Sequence, residues 1–325
     1  MSKPPHKLSR RAKMELPKAP PAPVSVNTKR STTRATTTNK NVPNKTFQVA
    51  TWDGAGEGEK IIGYADSGMG KTTLASMLPT PVFAGLDDGG RKIRNPITDE
   101  PLKNIPGIET FDDFRAAVQQ PDLFDDYETL VVDTGTILES WALNWVLENI
   151  LGGDNNTNRM KNIEQYGWGK GHRHLYDTMR LPLADFDTLV RRGKNICILC
   201  QMQQVSIANA SGEDYLCDAP KLAPKHGKQT PSIWGMWVEW ADHVFRISNE
   251  GVVAAKDDKT AKIAKATSTG NRIINIHAPE VHYKAKSRSI PPRFPVVSFS
   301  DPTDDSVWQF LFDEVWRDTP EEGGE

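Results

Sequence analysis

Ile61-Ile62-Gly63-Tyr64-Ala65-Asp66-Ser67-Gly68-Met69-Gly70-Lys71-Thr72-Thr73 sets two isoleucines before a run of small residues, then one lysine before two threonines. Small side chains let successive backbone N–H groups turn into one concavity, and a lysine at its end adds positive charge to whatever sits there. A phosphate chain is the ligand such a cradle suits.

From Ala65 to Thr72 the chain follows the Walker A spacing G-x-x-x-x-G-K-[ST], with alanine in the first glycine position. Gly68 and Gly70 keep the backbone freedom nearest the phosphates. The flanks supply the context the motif requires. Lys60 to Tyr64 reads as a buried strand, and Thr72 to Leu78 has helical apolar spacing that stops before Pro79. On this reading Lys71 contacts the β- and γ-phosphates of ATP, Thr72 holds Mg²⁺, and the amides of Ser67, Gly68, Met69, Gly70, Lys71, Thr72 and Thr73 cradle the rest.

Further apolar runs follow at Pro81 to Asp87, Thr129 to Asp133, Asn195 to Gln201 and His243 to Ile247, with helical patterns at Phe111 to Gln119, Ile137 to Ile150 and His172 to Arg191. Strands apolar on both faces, alternating with helices, predict an α/β fold with a mostly parallel sheet between helices. Val252 to Ala255 and Arg272 to Ile276 lie close together and are expected to add an antiparallel margin. Ser306 to Trp316 has the spacing of a closing helix.

Asp133 ends an apolar strand, where a second Mg²⁺ ligand belongs, because strand ends share the crevice with the phosphate loop. Asp87 and Asp88 end the previous strand; either suits positioning the attacking water, Asp88 being preferred, and either also suits a simple Asp-Gly turn. Gln201 both donates and accepts, so it suits sensing the terminal phosphate.

The chain has 325 residues and a net charge of −2, which hides an asymmetry. Residues 1 to 46 carry eleven Lys and Arg against one acid, Glu15, a local charge of +10; the remainder carries 29 basic and 41 acidic residues, −12. Rich in Pro, Ser, Thr and Asn, residues 1–45 read as a disordered basic tail, serving as a solubilising leader or a nucleic-acid contact. Residues 46–300 are assigned to the P-loop domain and 301–325 to a closing helix and acidic tail. No secretory core or apolar span of membrane length is present, so a cytoplasmic protein without membrane contact is expected. Cys197 and Cys200 sit in an apolar run and read as buried hydrophobes rather than as half a metal site.

Two long connections interrupt the α/β rhythm. Gly152 to His174 holds Arg159, Lys161, Tyr166, Trp168, Lys170, His172 and Arg173; Met202 to Ser232 holds Lys221, Lys225, His226 and Lys228. Basic groups interleaved with aromatics suit single-stranded nucleic acid, although Trp168 equally suits packing on the sheet.

The ordered set A-D-S-G-M-G-K-T-T, L-D-D-G-G, T-L-V-V-D-T, Q-Y-G-W-G-K-G, G-K-N-I-C-I-L-C-Q, E-W-A-D-H-V-F and K-A-K-S-R-S-I-P-P resembles the phage-encoded RecA-like P-loop ATPases, among them the single-strand-annealing and recombination ATPases. The resemblance spans residues 46 to 300. It implies ATP hydrolysis with Mg²⁺ on single-stranded DNA, self-assembly, and work beside other replication or recombination proteins in the host cytoplasm. It also implies that Asp88 stands where a water-activating glutamate is usual, one methylene shorter. Gln201 then links nucleotide state to a DNA-binding segment, and Lys286-Ser287-Arg288 inserts charge into a neighbour's site. Taken alone, Lys284, Lys286 and Arg288 read as a solvated basic turn. The rival classes are a nucleotide kinase, which needs an arginine-bearing lid, and a structural ATP binder without turnover.

Overall fold

The structure is a computed structural model, and it describes residues 49, 54, 56–153, 155, 157–227, 230–251, 253–255, 265–267, 270–279 and 281–318. The chain divides into units of residues 1–52 and 53–325. The basic tail, Lys228 and the acidic C-terminus lie outside the described residues.

Nine strands form the sheet of the larger unit: β1 (Lys60–Ala65), β2 (Pro81–Gly85), β3 (Lys103–Asn104), β4 (Thr129–Asp133), β5 (Asn195–Ile207), β6 (Tyr215–Pro220), β7 (His243–Asn249), β8 (Arg272–Asn275) and β9 (Val296–Ser298). Their order is β9-β8-β7-β1-β5-β4-β2-β3, with β6 paired to β5. Neighbours from β7 to β3 run parallel, whereas β8, β9 and β6 are antiparallel to their partners. The expected mostly parallel sheet with an antiparallel edge is therefore present. The β5 strand separates β1 from β4, so the carboxyl ends of β1 and β4 and Gln201 between them open on one crevice.

The helices are α1 (Lys71–Ala75), α2 (Phe111–Gln119), α3 (Gly135–Asn149), α4 (Lys170–Val190), α5 (Ile233–Trp240) and α6 (Ser306–Phe312). Because side chains alternate across a strand, β1 sends Ile62 and Tyr64 to one core and Ile61 and Ala65 to the other. The first core is closed by Phe111 and Phe114 of α2, Leu138 and Ala142 of α3, Met179 and Phe186 of α4 and Trp237 of α5. The second holds Leu74 of α1 with Val307, Trp308 and Leu311 of α6. Trp308 donates from Nε1 to the Leu74 carbonyl at 2.8 Å, so the closing helix packs directly on α1.

Four local expectations are corrected. Residues 202–232 are not an open connection: β5 continues six residues past Gln201 and turns back as β6. Residues 253–255 pair with 265–267 as a separate two-stranded ribbon rather than joining the sheet. The closing helix ends at Phe312, because Glu314 adopts φ 49° before a short 3-10 turn at Val315–Arg317. Trp168 does not pack on the sheet; at φ 52°, between two glycines of positive φ, it is 96% exposed. Cys197 and Cys200 are buried thiols, and burial pushes both upward in pKa, Cys200 to about 12.

Candidate nucleotide site

The loop from Asp66 to Gly70 carries the chain from β1 to α1, with Gly68 at φ 78° and Gly70 at φ 88°, conformations that cost side-chain-bearing residues energy. Gly70 is constrained twice. A Cβ there would stand 2.6 Å from an Arg272 guanidinium nitrogen. Arg272, on β8, donates to the Met69 carbonyl at 3.2 Å and lies over the Phe299 ring at 4.5 Å, bracing the loop from behind. Nothing in the local sequence marks Arg272, since it is joined to the loop only through the sheet edge.

Lys71 is 7% exposed, and its Nζ donates to the carbonyls of Ala65 at 3.1 Å and Asp66 at 2.9 Å and to Gln201 Oε1 at 3.1 Å. Burial lowers its pKa, with Asp133 the largest opposing influence. Thr72 Oγ1 donates to Asp133 Oδ2 at 2.7 Å, and Asp133 is 5% exposed. Loss of water raises the Asp133 pKa; the Thr72 bond and Lys71 oppose that, while Asp87 adds to it. A hydroxyl and a carboxylate held together at a phosphate loop are the hard oxygen donors that Mg²⁺ takes, so these residues fit the ion, and the lysine and loop amides fit a triphosphate.

A cleft of about 370 Å³ gathers Ser67, Gly68, Gly70, Lys71, Thr72, Thr73, Asp87, Asp133 and Gln201. Met69 falls outside that cleft and lines a neighbouring one of about 460 Å³ with Asp66 and Arg246. The structure places Asp87, not the preferred Asp88, in the phosphate cleft. Asp87 caps a 3-10 turn at Asp88–Lys92 by accepting from the Gly89 amide at 2.8 Å, so the Asp-Gly turn and the cleft carboxylate are the same residue. Asp88 faces outward, its side chain 87% exposed and 3.4 Å from Arg91; it lines the adjoining pocket of about 180 Å³.

Gln201 is held at three points: its side chain by Lys71, its amide by Thr136 Oγ1 at 3.2 Å, and its carbonyl by the Lys221 amide at 2.6 Å. Thr136 in turn donates to the Lys221 carbonyl at 3.0 Å. This tight junction requires Gly135, because a Cβ there would stand 2.9 Å from Ile198. Sequence reading missed Thr136 and placed Lys221 only among the basic groups of its segment; the two meet only through the fold.

Lys286 and Arg288 lie at the other end of the sheet. Lys286 bridges Val244 through its backbone, and Arg288 pairs with Asp242 at 3.2 Å, beside the entrance of β1. Arg159, Lys161, Trp168, Lys170 and Lys225 are all exposed. Among the described residues no helix is long and apolar enough to cross a membrane.

No curated protein matches this chain. Among solved structures, the KaiC-like protein PH0186 from the hyperthermophilic archaeon Pyrococcus horikoshii OT3 aligns over 75% of this chain and 90% of its own, at 13% identity and a TM-score of 0.35. The AAA domain family matches residues 57–289, which carry the loop, Asp133 and Gln201. By that match, over most of its length, the chain belongs to the AAA domain family.

Proposed function

We propose that the protein is an ATPase that couples ATP binding and hydrolysis to self-assembly on single-stranded DNA, in phage recombination, annealing or replication within the host cytoplasm and beside other proteins of those processes. The observation that carries this reading is the bond from Lys71 to Gln201. It ties the phosphate-binding lysine to a strand that leaves the sheet and to a segment that leads toward the exposed basic and aromatic residues.

When bound, Mg²⁺ would neutralise negative charge on the triphosphate. Thr72 and Asp133 would hold it, and the loop amides with Lys71 would bind and orient the triphosphate. The Lys71 ammonium exchanges its contacts with Ala65, Asp66 and Gln201 for phosphate oxygens, which frees the Gln201 amide to report the exchange. Asp87, at the cleft wall, orients the attacking water and accepts its proton. Lys286 and Arg288 complete a neighbouring subunit's site in the assembled form, and Trp168 offers a flat face for a base while Arg159, Lys161, Lys170, Lys225 and Lys228 offer charge to the phosphates.

Steady-state ATPase measured with and without a short oligonucleotide tests this. Stimulation by single-stranded DNA that disappears in Lys71→Ala supports it; phosphate transfer to a nucleoside monophosphate, or tight binding without turnover, overturns it. Mixing Lys71→Ala with Arg288→Ala tests the shared site: recovered activity supports it, and none under oligomer-forming conditions refutes it.

A further inference from the structure

Glu164, His172 and His226 come together outside the nucleotide site, with one ligand atom of each lying within 4.8 Å of the others. Glu164 belongs to the 3-10 turn at Ile163–Tyr166, His172 to the first turn of α4, and His226 to the segment after β6. His172 Nε2 stands 3.0 Å from Glu164 Oε1, and the two imidazoles stack with centroids 3.6 Å apart and planes 17° from parallel. We propose that these three side chains bind a divalent transition metal ion of the Zn²⁺ class, which clasps the start of α4 and the turn before it to the segment that follows β6.

Two imidazoles and one carboxylate are a ligand set for Zn²⁺ and its transition-metal neighbours rather than for Mg²⁺ or Ca²⁺, which take oxygen donors. Zn–N and Zn–O bonds of about 2.0–2.2 Å in a tetrahedron require ligand atoms about 3.3 Å apart. The Glu164–His172 pair, at 3.0 Å, has to open by a few tenths of an ångström to reach that spacing, and the His226 ring has to turn out of the stack and close by at most about 1.5 Å. Its surroundings permit this. His226 is exposed, and its backbone is fixed by a reciprocal pair of hydrogen bonds with Thr230 at 3.1 and 3.3 Å, which leaves the ring to fan away from its neighbour. Gly169, at φ 72°, lies beside the His226 ring, where a Cβ would make only an ordinary contact at 3.6 Å. Three protein ligands leave a fourth position for water, and the ion would hold Lys225 beside Trp168 and Lys170.

The full chain, stripped with a chelator and kept in excess Mg²⁺, is titrated with Zn²⁺ and with Co²⁺, reading bound metal by mass spectrometry and Co²⁺ by its visible absorption. One ion per chain, with the intense visible bands of four- or five-coordinate Co²⁺, is expected. His172→Ala and His226→Ala should each weaken binding at least about tenfold, since even disturbing a metal site's outer partners costs that much. Asp133→Asn should leave Zn²⁺ uptake unchanged, separating this site from the Mg²⁺ ligands. If either alanine variant loses its cooperative unfolding transition, Glu164→Gln, which keeps size and shape, takes its place with the same expected loss. Absence of bound metal in the wild-type chain, or uptake equal in wild type and variants, overturns the proposal.

Discussion

Replacing Lys71 by methionine should separate what the site costs the free protein from what it gains with nucleotide. In the free chain Lys71 is 7% exposed, and its ammonium has neutral oxygens as direct partners, at 2.9 to 3.1 Å. Three such bonds contribute about 1 kcal/mol each, whereas removing an ammonium from water costs several kcal/mol, of the order of what the bonds return. The lowered pKa has the same sign: the fold disfavours the charge relative to the unfolded chain. Methionine keeps the buried stem and removes the charge, so the free variant should melt within about 3 °C of wild type, about 1 kcal/mol for a unit of this size. With Mg-ATP at a thousand times its Kd the wild type should gain about 4 kcal/mol, or about 8 °C or more in Tm. The variant should gain less than about 2 °C on the same scale. Differential scanning fluorimetry with and without Mg-ATP reads both numbers. A variant that melts far below wild type when free, or that keeps the nucleotide shift, refutes the reasoning.

Asp133→Asn should preserve the free fold, because an amide oxygen still accepts from Thr72, yet remove the Mg²⁺ dependence of nucleotide binding; calorimetry with and without the ion checks this. Gly70→Ala must hold a Cβ at φ 88° against Arg272, so a loss of about 1–3 kcal/mol in denaturant unfolding is expected, together with loss of ATP binding. Trp168→Ala should leave Tm unchanged, since the ring is 96% exposed, and weaken binding to a short oligonucleotide by about 1–3 kcal/mol, read by fluorescence anisotropy. Glu139 is a further handle: burial pushes its carboxyl up to about 7, while a hydrogen bond from the Ala223 amide opposes the shift. Its folded pKa exceeds its unfolded one, so stability should fall by at most about 3 kcal/mol as pH rises from about 4.5 to about 7. Glu139→Gln should flatten that slope in urea midpoints measured across the range.

The phosphate loop and Asp133 were legible because both signals are local: glycines before a lysine, and an acid closing a run of buried β-branched residues. The alternation of Val205 and Ile207 with Gln204 and Ser206 is also a strand signal, although a short one. The choice between Asp87 and Asp88 was not legible, since a 3-10 turn decides which of two adjacent carboxylates faces the cleft. Arg272 at the loop, Lys221 at Gln201, and His226 against His172 across 54 residues of sequence depend on the sheet and its crossovers, which no nearby residues encode.

The length of β5 has a mechanical consequence. Gln201 sits where the strand stops being flanked by β1 and β4, and the six residues beyond it, stiffened by β6 and covered on one face at Val205, extend about 20 Å. A lever of that length pivoting at Gln201 by about 5° would sweep its tip, where Leu216 is 60% exposed, through about 2 Å. Loss or gain of a single phosphate contact at the fulcrum would thereby be geared up into a displacement large enough for a bound strand or an adjoining subunit to register.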